Sequence, residues 1–110
     1  MTQKIPYSDF EKLDMRVGKI LEVEDHPKAD KLYVLKVELG EENPRQIVAG
    51  LKPYYKKEQL LGKKAIFIIN LEPRMLRGAE SNGMILAAGN ESEVFFLTPE
   101  KDIEEGSKIR

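Results

Sequence analysis

Apolar and polar residues alternate in two stretches near the start of the chain, and this period of two predicts strands with one buried face. The first stretch is MRVGKILEVED, residues 15–25, and the second is LYVLKVELG, residues 32–40. Their alternating apolar residues are Met15, Val17, Leu21 and Val23 in the first, and Tyr33, Leu35, Val37 and Leu39 in the second. We predict a strand in each stretch, with a bulge or sharp coil at Gly18 of the first.

Three further apolar segments predict strands. QIVAG, residues 46–50, is short, whereas KAIFIINL, residues 64–71, is an almost continuous apolar run that is typical of a strand buried on both faces. GMILAA, residues 83–88, predicts the fifth strand, and VFFLTP, residues 94–99, is an additional apolar piece. NLEPRMLRGAESNGMIL, residues 70–86, mixes arginines with Pro and Gly, so we expect a long, stiff, basic loop there.

Two short helices are predicted from residues that begin and end helices. In PYSDFEKLD, Ser8 and Glu11 have the spacing of a capping box. In PYYKKEQLLG, Pro53 stands at the expected first helical position and Gly62 just past the expected end. The second helix falls between the third and fourth predicted strands.

This order of elements predicts an all-β fold, a five-stranded OB-fold Greek-key barrel. The barrel would have a short helix between strands 3 and 4 and additions at both the N- and C-terminus, and closure would remove exposed strand edges. The length of 110 residues is that of one domain, so we expect residues 1–110 to form a single OB-fold domain. OB-folds bind ligands with the face of strands 2 and 3 and with the loops joining strands 1–2 and 4–5. Those loops are HPKADK, residues 26–31, and the basic segment 70–86.

Composition excludes several classes of function. Without cysteine there is no disulfide, no thiolate zinc site and no cysteine nucleophile. The one histidine, His26, has no serine in a G-x-S-x-G segment to pair with, and neither a phosphate-binding glycine loop nor a calcium-binding loop occurs. We therefore expect no enzyme activity, no metal and no cofactor. The sequence has neither a long apolar run nor a secretory leader, so we expect a cytoplasmic protein without a membrane partner.

Charge is unevenly distributed along the chain. The formal net charge is −1, but residues 52–88 contain seven basic and three acidic side chains. Barrel closure would gather Lys28 and Lys31 from the first loop with Arg74 and Arg77 from the second, which makes a local phosphate site. The alternative is that these are ordinary solvated charges on a mobile loop. The other candidates in the second loop are Ser81 and Asn82 as uncharged donors, and Met84 either as a cap on the core or as a surface for a base.

Several blocks in order carry a family resemblance: DMRVGKILEVEDHPKADKLYVLKVELG, RQIVAGL, GKKAIFIINLEPRMLRGAESNGMILAA and EEGSKIR. They resemble the tRNA-binding domain at the C-terminus of many methionyl-tRNA synthetases, and similar domains in free-standing tRNA-binding proteins and endothelial monocyte-activating polypeptide. The resemblance implies an OB-fold module that binds tRNA mainly by shape and raises the tRNA affinity of a synthetase catalytic chain or domain. The tRNA contacts that it implies are Lys31, Asn70, Arg74, Arg77, Ser81 and Met84.

The same resemblance implies a homodimer, because related bacterial forms are dimers. The terminal additions carry apolar residues that a small barrel has little room to bury: Ile5, Tyr7, Phe10, Phe95, Phe96 and Leu97. We expect these residues at the dimer interface, with padding of a monomeric barrel as the alternative. A second resemblance, weaker in the basic loop, is to an export-related chaperone of the same fold, which would bind unfolded polypeptide or act as an assembly module.

Overall fold

A computed structural model describes residues 2–110, which form nine short or medium strands and two short helices. The elements are α1 (Tyr7–Glu11), β1 (Met15–Asp25), β2 (Tyr33–Glu38), β3 (Arg45–Ala49), α2 (Lys57–Leu60), β4 (Lys64–Ile68), β5 (Arg74–Leu76), β6 (Ala79–Ser81), β7 (Met84–Ile85), β8 (Ala87–Gly89) and β9 (Val94–Phe96). Neither helix within the described residues is long and apolar enough to cross a membrane.

Five strands form one antiparallel sheet in the order β3-β2-β1-β4-β7. The long strand β1 makes this possible, because its first half pairs with β4 and its second half pairs with β2. The two edges of the sheet then approach each other, and the Asn82 N–H donates to the Gln46 carbonyl at 2.8 Å. The result is a nearly closed five-strand barrel, so the predicted all-β OB-fold class is confirmed.

The bulge in β1 is not at the predicted glycine. The register shifts between Ile20 and Glu22, and this shift exposes Leu21, which the alternating pattern had assigned to the buried face with Met15. Gly18 instead lies inside the barrel, where an added Cβ would be only 2.7 Å from Val37 Cγ1. The alternating pattern failed because a bulge adds one residue, so the residues that face inward before it and after it do not follow one continuous alternation.

The fourth strand is buried on both faces, as its apolar run predicted. Ala65 and Phe67 belong to the cluster that fills the barrel. Ile66 and Ile68 face the other way and form a second cluster with Met15. Residues from both terminal additions cover this outer cluster, namely Phe10 and Ile109. The additions therefore shield the outer face of β1 and β4.

Both predicted helices are present but begin elsewhere. The first helix is preceded by Pro6, whose carbonyl accepts the Asp9 N–H at 3.0 Å, so Ser8 lies inside the helix and forms no capping box. Residues 52–54 form turns rather than helix, because the N–H groups of residues 54 and 55 both donate to the Leu51 carbonyl. The Gly62 prediction is confirmed, since this residue follows α2 with a φ of 80°.

The predicted fifth strand divides into two. Its first part, β7, pairs with β4 in the barrel, whereas its second part, β8, forms a separate hairpin with β9. The C-terminal segment then crosses β1, where the Gly106 N–H donates to the Val17 carbonyl at 2.8 Å. Lys64 holds this segment by an ion pair with Asp102 at 2.7 Å and a hydrogen bond to the Ile103 carbonyl.

Candidate nucleic-acid interface

The basic segment between β4 and β7, for which the sequence predicts a long, stiff loop, contains a hairpin. Strands β5 and β6 pair from Arg74 opposite Ser81 to Leu76 opposite Ala79. The two turn residues, Arg77 and Gly78, both have positive φ, 54° and 92°. This is the signature of a type I′ turn, whose twist matches that of a hairpin. Arg77 therefore stands at the exposed tip of what we call the 74–81 hairpin.

The hairpin is fixed against the edge of β3. The Ser81 hydroxyl accepts the Val48 N–H at 2.9 Å and donates to the Gly83 carbonyl at 3.0 Å, and only 5% of this residue is exposed. The Gln46 side chain also donates to the Glu80 carbonyl. Because the Ser81 hydroxyl is buried and uses its donor and an acceptor position within the chain, it holds the hairpin and cannot meet a ligand without rearrangement.

A buried histidine joins the loop between β1 and β2 to this hairpin. The His26 Nδ1 accepts the Lys28 N–H at 2.9 Å, and the Nε2 lies 2.8 Å from the Leu76 carbonyl oxygen. His26 is only 5% exposed. Sequence reasoning missed its role, because a lone histidine beside a proline in a loop is usually a surface residue. The available signal was the HPKADK segment, residues 26–31, but its residue types indicate no contact across fifty positions.

Four cations lie exposed on these two joined segments, and we call them the cationic rim: Lys28, Lys31, Arg74 and Arg77. The segments touch again where Arg77 Nη2 lies 3.4 Å from the Lys28 carbonyl. Within residues 2–110, no carboxylate lies at ion-pair distance from any of the four. The structure thus brings together the two loops that the OB-fold prediction assigned to binding.

Two of the lysines that follow β3 are partly neutralised by a carboxylate. Lys52 and Lys57 both pair with Asp25, at 3.0 Å and 3.2 Å. Their hydrogen bonds, that of Lys52 first, hold the pKa of the Asp25 carboxyl below its ordinary range. Asp25 therefore remains ionised and partly neutralises the basic region beside the rim.

A small cavity of about 60 Å³ is lined by residues of the 74–81 hairpin, β3 and β7. Its walls include Val48, Leu76 and Met84, and Arg74 and Glu72 stand at its edge. Met84 is 43% exposed and belongs to neither buried apolar cluster, which favours the surface alternative over a cap on the core. A flat, polarizable side chain beside a guanidinium suits a base or ribose next to its phosphate.

The two asparagines of the segment occupy different positions. Asn70 ties the end of β4 to the N-terminal addition, because its side chain accepts the Asp14 N–H at 2.8 Å and donates to the Lys12 carbonyl at 2.6 Å. Asn82 lies at the barrel seam, where its backbone bonds to Gln46 and its side chain is partly exposed. The Asn70 side chain is thus used within the chain, whereas the partly exposed side chain of Asn82 stays a candidate contact.

The apolar residues of the terminal additions are divided between exposed and packed positions. Ile5, Tyr7, Phe95 and Leu97 are all more than a third exposed. Phe10 packs on the outer cluster, and Phe96 packs on Tyr55 with ring centroids 5.3 Å apart. Leu97 lies beside β4, since its carbonyl accepts the Ile66 N–H. Tyr7 packs on Phe10 with ring centroids 5.8 Å apart, and Phe95 lines a surface depression together with Tyr54.

A five-stranded antiparallel barrel, with two joined loops at one mouth, defines the class of OB-fold binding barrels. Within that class the chain belongs to the family described as "Putative tRNA binding domain", which matches residues 15–108. The chain is 57% identical over 106 residues to the methionine–tRNA ligase of Pyrococcus horikoshii. That match covers 96% of the chain but only 14% of the ligase, so the chain spans about one seventh of the length of such relatives.

Two solved structures share the whole fold. A MetRS related protein from Pyrococcus horikoshii is 31% identical with a TM-score of 0.91, over 99% of this chain and 100% of that one. The CsaA chaperone protein from Picrophilus torridus is 37% identical with a TM-score of 0.89, over 97% of this chain and 100% of that one. The fold is therefore common to a synthetase-related protein and to a chaperone, and the distinction between them must come from the site.

Proposed function

We propose that residues 1–110 act as one non-catalytic, cytoplasmic module that raises the affinity of a methionyl-tRNA synthetase chain or domain for tRNA. The observation that carries this proposal is the cationic rim, which consists of four exposed cations on two segments that lie fifty positions apart and are joined through His26 and Arg77. The high identity to archaeal methionine–tRNA ligases supports the choice of synthetase.

Recognition in this proposal uses the phosphate backbone and the shape of the tRNA. Arg74 and Arg77 present guanidinium forks that suit phosphate oxygens, and Lys28 and Lys31 add point charges. Each phosphate neutralised releases counterions, which makes binding sensitive to salt but not to sequence. Met84 and Asn82 would contact sugar or base beside these phosphates. Asn70 and Ser81, which the family resemblance also implied, act indirectly by holding the loop.

A salt titration tests the proposal. We expect tRNA retention on a filter to fall log-linearly with salt, and Arg74→Ala to lower the slope by about one and to weaken different tRNAs equally. Lys101→Ala removes an exposed cation from the C-terminal segment and serves as the matched control, with little expected effect. Absence of tRNA binding at low salt, or equal losses for the two variants, would reject the cationic rim as the site.

The terminal additions support a second proposal, that two copies of the chain associate. The side chains of Tyr7 and Leu97 are exposed on these additions, and a two-fold interface that includes them would bury both in each copy. Sedimentation at micromolar concentration tests this association. The mass of two chains is expected for the unmodified protein and that of one chain for Leu97→Glu, whereas one-chain mass for both rejects the dimer.

Peptide binding is the competing function, and a groove between the two termini supports it. A groove of about 150 Å³ lies between the two termini, and a chaperone shares the fold. Its lining combines four apolar or aromatic residues with three charged ones: Tyr7, Phe10, Leu13 and Ile109, and Glu11, Lys108 and Arg110. Association through this surface would cover the groove. Binding of an unfolded polypeptide with little salt dependence, together with no binding of tRNA, would support the chaperone function instead.

A further inference from the structure

The neutral imidazole of His26 uses both of its nitrogens to join two segments of the chain. Because Nδ1 accepts the Lys28 N–H, it carries no hydrogen, so the ring hydrogen resides on Nε2. The Nε2–H then points to the Leu76 carbonyl at 2.8 Å. Each nitrogen therefore has a defined role, and neither is left for a ligand.

The two partners of the ring lie beside cations of the rim. Lys28 is itself a rim cation, and Leu76 immediately precedes Arg77 at the tip of the hairpin. The Arg77 guanidinium reaches the Lys28 carbonyl only at 3.4 Å, which is a long hydrogen bond from an exposed side chain. The short, buried bonds of His26 are thus the stronger link between the tip of the hairpin and the first loop.

We propose that His26 is a positioning residue for RNA binding, which holds Lys28 and Arg77 at a fixed separation so that both contact one RNA at the same time. This inference rests on the proposed function of the rim. His26 does not touch the RNA, because it is buried; it acts by removing the freedom of the hairpin relative to the first loop. When the cations are already held in place, the protein segments that carry them lose less conformational entropy as the RNA binds.

Two substitutions of His26 test its two hydrogen bonds separately. In His26→Asn the amide oxygen reaches the place of Nδ1 and can still accept the Lys28 N–H, as in an Asx turn, but the side chain is too short for Leu76. In His26→Gln the amide nitrogen reaches the place of Nε2 and can donate to the Leu76 carbonyl. His26→Asn therefore keeps the local turn and loses the connection between the two segments, whereas His26→Gln keeps that connection.

The experiment measures binding of an unmodified tRNA transcript by the full chain over a range of salt. We expect His26→Gln to bind within about twofold of the unmodified protein, and His26→Asn to bind about threefold to tenfold more weakly, the ratio for one lost hydrogen bond. The salt slope of His26→Asn should also fall by about one, because one cation no longer contacts the RNA at the same time. A merely structural role would lower the melting temperature of His26→Asn and leave the slope unchanged, and that result overturns the proposal.

A second measurement does not depend on the variants folding. The ¹⁵N resonances of His26 in the unmodified chain should be those of a neutral ring with hydrogen on Nε2, and the Lys28 amide should exchange slowly with solvent. The opposite tautomer, or rapid exchange at Lys28, overturns the proposal. If the unmodified chain binds tRNA and His26→Asn matches it in affinity and slope, only the positioning role fails. If the unmodified chain binds no tRNA, the function of the rim fails as well.

Discussion

The guanidinium of Arg45 donates to the carbonyl of Ile69 at 2.6 Å, and this bond connects the start of β3 to the end of β4 across the open side of the barrel. The same Nη1 lies 3.4 Å from the Asn82 carbonyl, in the link between β6 and β7. Glu41 orients the guanidinium with two hydrogen bonds, at 2.8 Å and 2.9 Å. One side chain thus contacts three segments where the barrel closes.

Arg45→Met should therefore destabilise the barrel. It leaves the Ile69 carbonyl without this donor, and we expect a loss of about 1–3 kcal/mol in the free energy of unfolding, measured by urea denaturation. Glu41→Gln is the matched control, because it keeps the donors of Arg45 and removes only one partly exposed charge. A loss for Arg45→Met no larger than that for Glu41→Gln would show that the carbonyl bonds do not hold the seam.

Gly18→Ala should destabilise the chain by overpacking. The new methyl group would lie within 2.8 Å of Val37, Leu39 and Phe67 side chains, and extra volume in a packed core costs about 1–3 kcal/mol. Gly50→Ala is the control, since its nearest neighbour is Leu32 at 3.9 Å. Thermal unfolding of the two variants should differ clearly, and equal melting temperatures would mean that β1 can shift to admit the methyl group.

Ser81→Ala should lower the stability of the fold, because the Ser81 hydroxyl holds the hairpin and does not contact RNA directly. Removing the hydroxyl leaves the buried Val48 N–H without its acceptor, which costs about 1–3 kcal/mol. Asn82→Ala should show the reverse pattern, with nearly unchanged stability and weaker tRNA binding. Melting temperature and tRNA affinity measured on both variants check this contrast. Weak tRNA binding by a fully stable Ser81→Ala protein would instead identify its hydroxyl as a contact.

Acid should remove the stabilising contribution of the ion pair between Asp14 and Arg16. Arg16, by hydrogen bonding and then by its charge, outweighs burial and holds the pKa of the Asp14 carboxyl below its ordinary value of 3.8. A carboxylate with a lowered pKa in the folded state stabilises the fold above pH 3.8, and the contribution is lost as pH falls from there through the lowered pKa. Unfolding measured between pH 5 and pH 2.5 should therefore show a smaller decline for Asp14→Asn than for the unmodified chain. Parallel declines would exclude this pair as a source of acid sensitivity.

Much of the barrel could be predicted because its strands have simple periodicity. In β2, the residues Tyr33, Leu35 and Val37 alternate without interruption, and all three are buried. In β4 the continuous apolar run has partners on both faces, as predicted. Such strands need no information from elsewhere in the chain, since burial of one or both faces follows from the local pattern.

The parts that could not be predicted depend on contacts between distant residues. The bulge after Ile20 is set by the pairing of β1 with two different strands, which the alternation within β1 does not record. The role of His26 depends on Leu76, fifty positions away, and that of Ser81 on Val48. The 74–81 hairpin was hidden because its turn has arginine where type I′ turns favour asparagine, aspartate or glycine.

That arginine has a further consequence. Arg77 is the one non-glycine residue within residues 2–110 that has a positive φ, a conformation that L-amino acids other than asparagine and aspartate seldom adopt. A residue better suited to the backbone would relax the turn but would remove the positive charge at its tip. The chain thus accepts a small weakness in its own fold at an exposed cation, and selection for solution stability alone would be expected to replace this side chain.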